Sequence, residues 1–258
     1  EATLLLGRMT FQTGDHGQAY GLLQTAAQRL PQRADVQFDL GWAAFSVGRI
    51  ADASQAMQRA LEIEPGFHQA DAARTFVSMT GLILNPDGLA GAEPQIQEAL
   101  NKDPNHGPAL MAQAALMRAR GNARAAMPIY EKILGAFPRF TPAIREIGLI
   151  LAADPAQAPK AYDLLVKARE AYPDDADVAR ALGLLSYGRK DYRYAITLLQ
   201  SYLRGRPNDP EALFYLGMSQ HQSKQAAPAR EQLQKAIDAG LKEPLLSEAK
   251  KIMSNIQP

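Results

Sequence analysis

Hydrophobic positions along this chain recur at helical spacing, in paired segments separated by short breaks. Val36 and Leu40 lie on one side of a first segment, and Met57 and Ala60 lie on one side of the next. Apolar residues three or four positions apart share one face of an α-helix. The pattern therefore predicts two antiparallel helices, with Gly48 providing the backbone freedom to reverse the chain between them. No segment shows the alternating pattern of a strand.

The same paired pattern repeats along the chain. A proline ends each of six successive pairs, about every 34 residues. These prolines are Pro31, Pro65, Pro104, Pro138, Pro173 and Pro207. A small residue precedes five of them at a nearly constant distance, namely Gly7, Gly41, Ala114, Gly148 and Gly183. A period of this kind indicates an array of similar helix pairs, each of which buries its apolar face against its neighbours.

The residues at these positions resemble the tetratricopeptide repeat, whose pattern over 34 residues is W-x2-L-G-x2-Y, then Ala, an aromatic residue and a terminal Pro. The second pair carries the pattern in Leu40, Gly41, Ala53, Met57, Ala60 and Pro65, and the sixth carries it in Leu182, Gly183, Ala195, Leu199 and Pro207. This resemblance implies an all-α fold, a right-handed α-solenoid superhelix of helix-turn-helix repeats. Members of the family bind proteins rather than catalyse reactions.

We assign seven repeats to residues 1–33, 34–67, 68–106, 107–140, 141–175, 176–209 and 210–243. Residues 244–258 then form a capping helix with an apolar stripe opposite charged residues. The stripe consists of Leu245, Leu246, Ala249, Ile252, Met253 and Ile256. No similar polar cap precedes Glu1, so we expect further repeats or another element before it.

The resemblance also implies a concave groove lined by the first helices of the pairs. The candidate partner-binding residues are Phe38, Trp42, Phe45, Phe76, Met79, Met111, Arg118, Arg145, Arg180, Tyr187, Phe214, Met218 and His221. Aromatic and methionine side chains offer large contact areas, and arginine can bind a carboxylate. The alternatives are packing against neighbouring helices for the aromatics, and ion pairs with residues such as Glu146 for the arginines. On the groove hypothesis, replacing Trp42 and Phe45 with Ala abolishes partner capture and leaves helicity intact.

The third repeat is longer than the others by about five residues. The extra residues lie around Gly81 to Gly91, where Asn85 to Gly88 form a strong turn signature. Leu82, Ile83 and Leu84 precede this turn. They belong either to a tolerated insertion or to a protruding apolar contact for a partner or a second copy.

The amino-acid composition argues against several classes of function. Lys and Arg number 28 and Asp and Glu number 27, so the chain lacks the positive field expected of a nucleic-acid-binding protein. There is no cysteine, and the histidines lack the spacing of a helical metal site, so we predict no metal, no cofactor and no catalytic residues. No apolar run is long enough for a membrane helix. The composition suggests a bacterial source and does not distinguish cytoplasm from periplasm.

These observations predict a non-enzymatic scaffold that binds a partner peptide or helix in the concave groove. The alternative is a structural module that self-associates, by stacking with other copies or with upstream repeats, in a bacterial envelope or secretion complex.

Overall fold

The computed structural model describes residues 1–255, and these residues form helices connected in pairs. The first helices of the pairs are α1 (Ala2–Gln12), α3 (Ala34–Ser46), α5 (Ala70–Leu84), α7 (Gly107–Ala119), α9 (Thr141–Ala152), α11 (Ala176–Gly188) and α13 (Pro210–Gln222). The second helices are α2 (His16–Arg29), α4 (Ile50–Ile63), α6 (Glu93–Lys102), α8 (Met127–Ala136), α10 (Ala158–Ala171), α12 (Tyr192–Gly205) and α14 (Ala226–Asp238). The last helix is α15 (Leu245–Asn255). Residues 1–255 contain no strand, which confirms the all-α prediction.

Three short 3₁₀ turns interrupt this pattern, at Pro86–Gly91, Ala123–Ala126 and Pro155–Gln157. The first of them follows α5 and contains most of the extra residues of the third pair. The helices divide into two compact units, of which unit 1 is Glu1–Glu146 and unit 2 begins at Ile147. Because α9 crosses this division, it contributes its first turns to unit 1 and its remainder to unit 2.

Close approach of the two helices in a pair explains the recurring glycine in several first helices. A Cβ atom placed on Gly41 would lie 2.8 Å from Cγ of Met57, and one on Gly183 would lie 2.7 Å from Cγ of Leu199. Met57 and Leu199 are fully buried. Only glycine therefore allows these side chains of the second helix to pack directly on the backbone of the first.

Aspartate side chains cap several helices, because free backbone N–H groups at a helix start need an acceptor. Asp209 accepts a hydrogen bond of 2.9 Å from the N–H of Ala212 at the start of α13. Asp175 accepts one of 2.9 Å from the N–H of Val178 at the start of α11. Of the acidic residues near the start of α11, Asp175 is thus explained by capping.

Helix α15 packs against α13 and α14 in unit 2. Its Ala249 is fully buried, and Leu245, Ile252 and Met253 pack on the unit 2 core. These are four of the six residues of the predicted apolar stripe, and Leu246 is half-buried. Ile256, the last residue of that stripe, lies outside the described residues.

Candidate functional site

In unit 1 four of the predicted groove residues, Phe45, Phe76, Met79 and Met111, form part of the core. Phe45 and Phe76 are fully buried, and their rings lie 5.6 Å apart. Phe45 also lies 5.8 Å from the ring of Phe137 and 4.8 Å from that of Phe140. Edge-on and tilted rings at these distances are favourable aromatic contacts. The unit therefore fills its interior with its own aromatic side chains.

The remaining unit 1 candidates differ in accessibility. Met79 and Met111 are buried, at 1% and 5% exposure. Trp42 is half-buried, with its ring 4.9 Å from that of Phe76. Phe38 is half-buried and packs edge-on against Phe67. Only Trp42 and Phe38 of the aromatic candidates in unit 1 therefore present any surface to a partner.

His106 joins this aromatic cluster and caps helix α7. Its Nδ1 atom accepts a hydrogen bond of 3.3 Å from the N–H of Ala109, and its ring lies 5.6 Å from that of Trp42. Burial lowers the pKa of the His106 imidazole below its ordinary value of 6.5, against a smaller opposing effect of Asp103. His106 is consequently neutral at physiological pH, which leaves Nδ1 available as an acceptor.

The three candidate arginines are all held in ion pairs. Arg118 and Arg145 both donate to the carboxylate of Glu146, each at 2.6 Å. Arg180 donates to Asp209 at 3.0 Å and also to Glu211. Their guanidinium groups thus have carboxylate partners within the protein, as the alternative reading of the sequence anticipated for Glu146.

In unit 2 a depression of about 770 Å³ runs along helix α11. Its apolar part consists of Leu149, Ala152, Ala153, Pro155, Ala158, Pro159, Ala181, Leu184, Leu185 and Gly188. Tyr187 and Tyr215 also line it, with ring centroids 5.1 Å apart, and Asp177, Arg180 and Arg189 complete the lining. Burial raises the pKa of both tyrosines, so their hydroxyl groups stay protonated at neutral pH.

Tyr215 is one of several lining residues that are absent from the predicted groove residues. The repeat register selected Phe214 and Met218 on α13, but these side chains are buried, at 1% and 2% exposure, in the same cluster as α15 residues Ile252 and Met253. Their neighbour Tyr215 reaches the depression. The predicted candidate His221 is half-buried at the end of α13. A register drawn from the inner repeats does not include the last helix, α15, which packs against α13.

Arg189 lies at one end of the depression. Its guanidinium carbon is 4.2 Å from the centre of the Tyr162 ring, a cation–π contact. Within residues 1–255, no Asp or Glu side chain forms an ion pair with Arg189. Asp177, at the other end, pairs with Arg206 at 3.1 Å. The depression thus combines an apolar floor with a positive charge at the Arg189 end.

The insertion in the third pair is folded onto unit 1. Leu89, within the 3₁₀ turn, is buried, and Leu82 and Ile83 are half-buried. Leu84 is 51% exposed. Of the three residues that a protruding contact would use, Leu84 is therefore the one that is most exposed to solvent.

Residues 10–75 match a family of tetratricopeptide repeats, and residues 152–210 and 187–244 match a second one. Together these matches cover more than half of the chain. The chain belongs to the tetratricopeptide repeat family. No curated protein matches its sequence.

Several solved structures are similar to this chain at low sequence identity. YrrB, described as a protein with an unusual peptide-binding site, is 17% identical, with 89% of this chain and 97% of YrrB covered and a TM-score of 0.47. PilF of Pseudomonas aeruginosa is 19% identical, with 86% and 88% covered and a TM-score of 0.43. The MamA protein is 16% identical, with 80% and 91% covered and a TM-score of 0.44.

Tetratricopeptide repeat proteins in general are scaffolds for protein–protein interaction, and this protein falls in that class. Residues 1–255 contain no group of three or more His, Asp or Glu residues arranged to hold a metal ion. Across the same residues, no helix combines the length and apolar character needed to cross a membrane.

Proposed function

We propose that this tetratricopeptide repeat protein is a non-enzymatic scaffold that binds a peptide segment of a partner protein in the unit 2 depression. The observation that carries the proposal is the apolar lining of that depression along α11. Of the predicted groove residues, Tyr187 and Arg180 line it, whereas the buried aromatics of unit 1 are committed to the core.

The lining suits a peptide better than a small polar ligand. Leu184 and Leu149 provide a floor that gains free energy when apolar side chains exclude water from it. Tyr187 and Tyr215 add rigid aromatic walls, a residue type common at the energetic centres of protein interfaces. Their hydroxyl groups can bond to the peptide backbone. The site therefore favours peptides with apolar anchor side chains over charged ligands.

The length of the site indicates the length of the bound segment. Asp177 and Arg189 lie near opposite ends of α11 and both line the depression. A helix rises about 1.5 Å per residue, which places them about 18 Å apart along the axis. An extended chain advances about 3.3 Å per residue, so about five residues span this distance. We expect apolar side chains at alternating positions of that segment.

A displayed library of random heptapeptides tests the proposal with the full chain as bait. The test variant combines Leu184→Gln with Tyr187→Gln, and the control variant carries Phe38→Gln on the half-buried face of unit 1. We expect peptides enriched on the parent chain to bind the test variant at least about ten-fold more weakly and the control variant unchanged. Equal binding to parent and test variant, with matching circular dichroism spectra, would contradict the proposal.

The second candidate function is structural assembly, in a setting such as a bacterial envelope or secretion complex. The observation that favours it is the exposed apolar side of α1, where Leu5, Leu6 and Met9 are 56%, 50% and 63% exposed. Light scattering of the full chain addresses self-assembly directly. A mass that rises with concentration supports it, and a constant monomer mass argues against it.

A further inference from the structure

Unit 2 contains a second depression, which lies among helices α10, α12, α13 and α14 and which we call the basic depression. Its volume is about 690 Å³, and it shares no lining residue with the depression along α11. Three of its lining residues, Arg169, Arg204 and Lys235, are basic, and none of the described residues that line it is Asp or Glu. The basic depression therefore concentrates positive charge in a chain whose charges are nearly balanced overall.

Arg169 differs from the other half-buried arginines of residues 1–255, each of which forms an ion pair with a carboxylate of the protein. Those others are Arg8, Arg33, Arg145 and Arg180. Arg169 forms no such pair in the described part of the chain, and its guanidinium donates to the backbone carbonyl of Asp175 at 3.4 Å. Burial removes water from a guanidinium, and an opposite charge is the usual compensation. A carboxylate from outside the chain would supply that charge.

The other two basic side chains are exposed. Arg204 donates to the Ser201 hydroxyl at 3.1 Å and has no carboxylate partner within residues 1–255. Lys235 pairs with Glu231 at 2.6 Å, one turn away on α14, and both side chains are more than half exposed. Exposed pairs of this kind contribute less than about 1 kcal/mol, so Lys235 can exchange Glu231 for an incoming carboxylate.

The floor of the basic depression is apolar. Leu203, Leu213 and Leu216 line it and are otherwise buried, at 9%, 3% and 3% exposure. An apolar side chain placed on this floor would exclude water from it and gain free energy. A bare inorganic anion would leave the leucines uncovered. The floor therefore favours a ligand that carries an apolar group beside its negative charge.

Unit 1 has a depression at the same register, but its charges are balanced. Counted from Gly41 and Gly217, three residues of unit 1 take the places of three residues of the basic depression. They are Gln24, Leu40 and Arg59, equivalent to Gln200, Leu216 and Lys235. The unit 1 depression is also lined by Asp52 and Glu62, which pair with Arg49 and Arg59 at 3.0 and 3.1 Å. The depression itself is thus a feature of the repeat, whereas the excess of positive charge is specific to unit 2.

We infer that the basic depression binds an acidic segment of a partner protein. An Asp or Glu of the segment pairs with Arg169 or Arg204, and a neighbouring leucine-sized side chain covers the leucine floor. A carboxylate accepts two parallel N–H bonds from a guanidinium, which gives arginine its preference for this group. The inference goes beyond the proposed function and does not depend on it, because the two depressions are lined by different residues.

The test removes the first site before it probes the second. The bait is the full chain with Leu184→Gln and Tyr187→Gln, and a displayed library of random heptapeptides is selected on it. The test variant adds Arg169→Gln and Arg204→Gln to the bait. We expect the enriched peptides to combine Asp or Glu with a leucine-sized residue, and to bind the test variant at least about ten-fold more weakly in fluorescence anisotropy.

The control variant adds Arg193→Gln and Arg230→Gln to the bait instead. These arginines are exposed on α12 and α14, outside the lining, so the variant has the net charge of the test variant. Peptide affinity should stay within about two-fold of that of the bait, since exposed charges outside the site are screened by salt. Equal weakening by the two variants would show that net charge alone attracts the peptides, and it would overturn the inference.

A change in the peptide provides a measurement that needs no substitution in the basic depression. Replacing Glu with Gln in an enriched peptide should weaken its binding to the bait about ten-fold and remove most of its salt dependence. Unchanged affinity would contradict the inference, as would a selection without excess of Asp and Glu. The same holds if a labelled 20-nucleotide oligothymidine binds the bait through Arg169 and Arg204 while no peptide is enriched, because the partner would then be a nucleic acid.

Discussion

The ring of Phe45, in α3, lies 4.8 Å from the ring of Phe140, the residue that directly precedes α9, and both side chains are fully buried. The contact joins the second helix pair to the start of the fifth within unit 1. Gly48 lies beside it, and a Cβ there would be 2.6 Å from Cδ of Pro142. Phe45, which the repeat register predicts on an exposed groove, is thus a core residue that helps to close unit 1.

Phe45→Ala should therefore lower the stability of the folded protein. Truncating a buried phenylalanine costs about 3–5 kcal/mol, through lost burial and the cavity that remains. Phe38→Ala, on the same helix but half-buried, should cost clearly less. Urea denaturation followed by circular dichroism measures both. Similar urea midpoints for the two variants would show that Phe45 does not have the packing role assigned to it. The groove hypothesis, in which replacing Phe45 leaves helicity intact, would then stand.

Gly183→Ala should destabilise unit 2, although alanine favours helix formation over glycine by about 1 kcal/mol. The new methyl group would lie 2.7 Å from Cγ of the fully buried Leu199, and overpacking of this kind costs about 1–3 kcal/mol. Gly21→Ala in α2 is the matched control, because its Cβ would meet nothing within 4 Å. There we expect a gain of about 0.5–1 kcal/mol. Thermal denaturation of the two variants should show shifts of opposite sign.

The lowered pKa of His106 makes the protein less stable in mild acid. Because the unfolded chain binds a proton more readily than the folded one, the contribution of neutral His106 is present above its ordinary pKa of 6.5 and is lost as pH falls through the lowered value. His106→Asn keeps an acceptor for the cap of α7 without this titration. We expect the urea midpoint of the variant to depend less on pH between about 7 and 5. If the urea midpoints of the parent chain and of His106→Asn changed equally with pH, His106 would not be the cause of the loss of stability in acid.

Asp209 combines a cap with two other contacts. It accepts from the Tyr202 hydroxyl at 2.7 Å and from Arg180 at 3.0 Å. Burial raises its pKa, but the Ala212 N–H, Tyr202 and Arg180 together lower it, so the carboxylate stabilises the fold above the ordinary aspartate range and this stabilisation is lost as pH falls. Asp209→Asn should cost about 1–3 kcal/mol at neutral pH.

Asp191→Asn provides the comparison for Asp209→Asn. Asp191 also caps a helix, by accepting from the N–H of Tyr194 at 3.1 Å, and the bond is exposed. Asparagine caps about as well as aspartate, so the change should be close to neutral. Chemical denaturation at neutral pH measures both variants. An equal loss of unfolding free energy in the two variants would mean that the contacts of Asp209 with Tyr202 and Arg180 do not stabilise the fold.

Repetition made much of the fold predictable. Gly41 and Gly183 could be recognised as contact points because the same local packing recurs at a fixed spacing. The charged side chains that cap α11 and α13 could be recognised because capping involves residues three positions apart. The accessibility of Phe45 and Phe214 was not predictable in this way, since it depends on residues outside their own repeats. Phe45 packs against Phe140, and Phe214 is buried in the core cluster of unit 2.

The sequence by itself determined that this protein is a tetratricopeptide array, because helix formation, helix pairing and capping depend on neighbours within one period of the chain. Only the tertiary structure decided which surface of that array is open. It buried Phe45 and Phe76 in unit 1, engaged Arg180 with Asp209 and Glu211, and left Tyr187 and Tyr215 lining a depression in unit 2. The physical reason is that a side chain is buried or paired by whatever packs upon it, and these contacts come from residues outside its own repeat, such as Phe140 for Phe45 and Asp209 for Arg180.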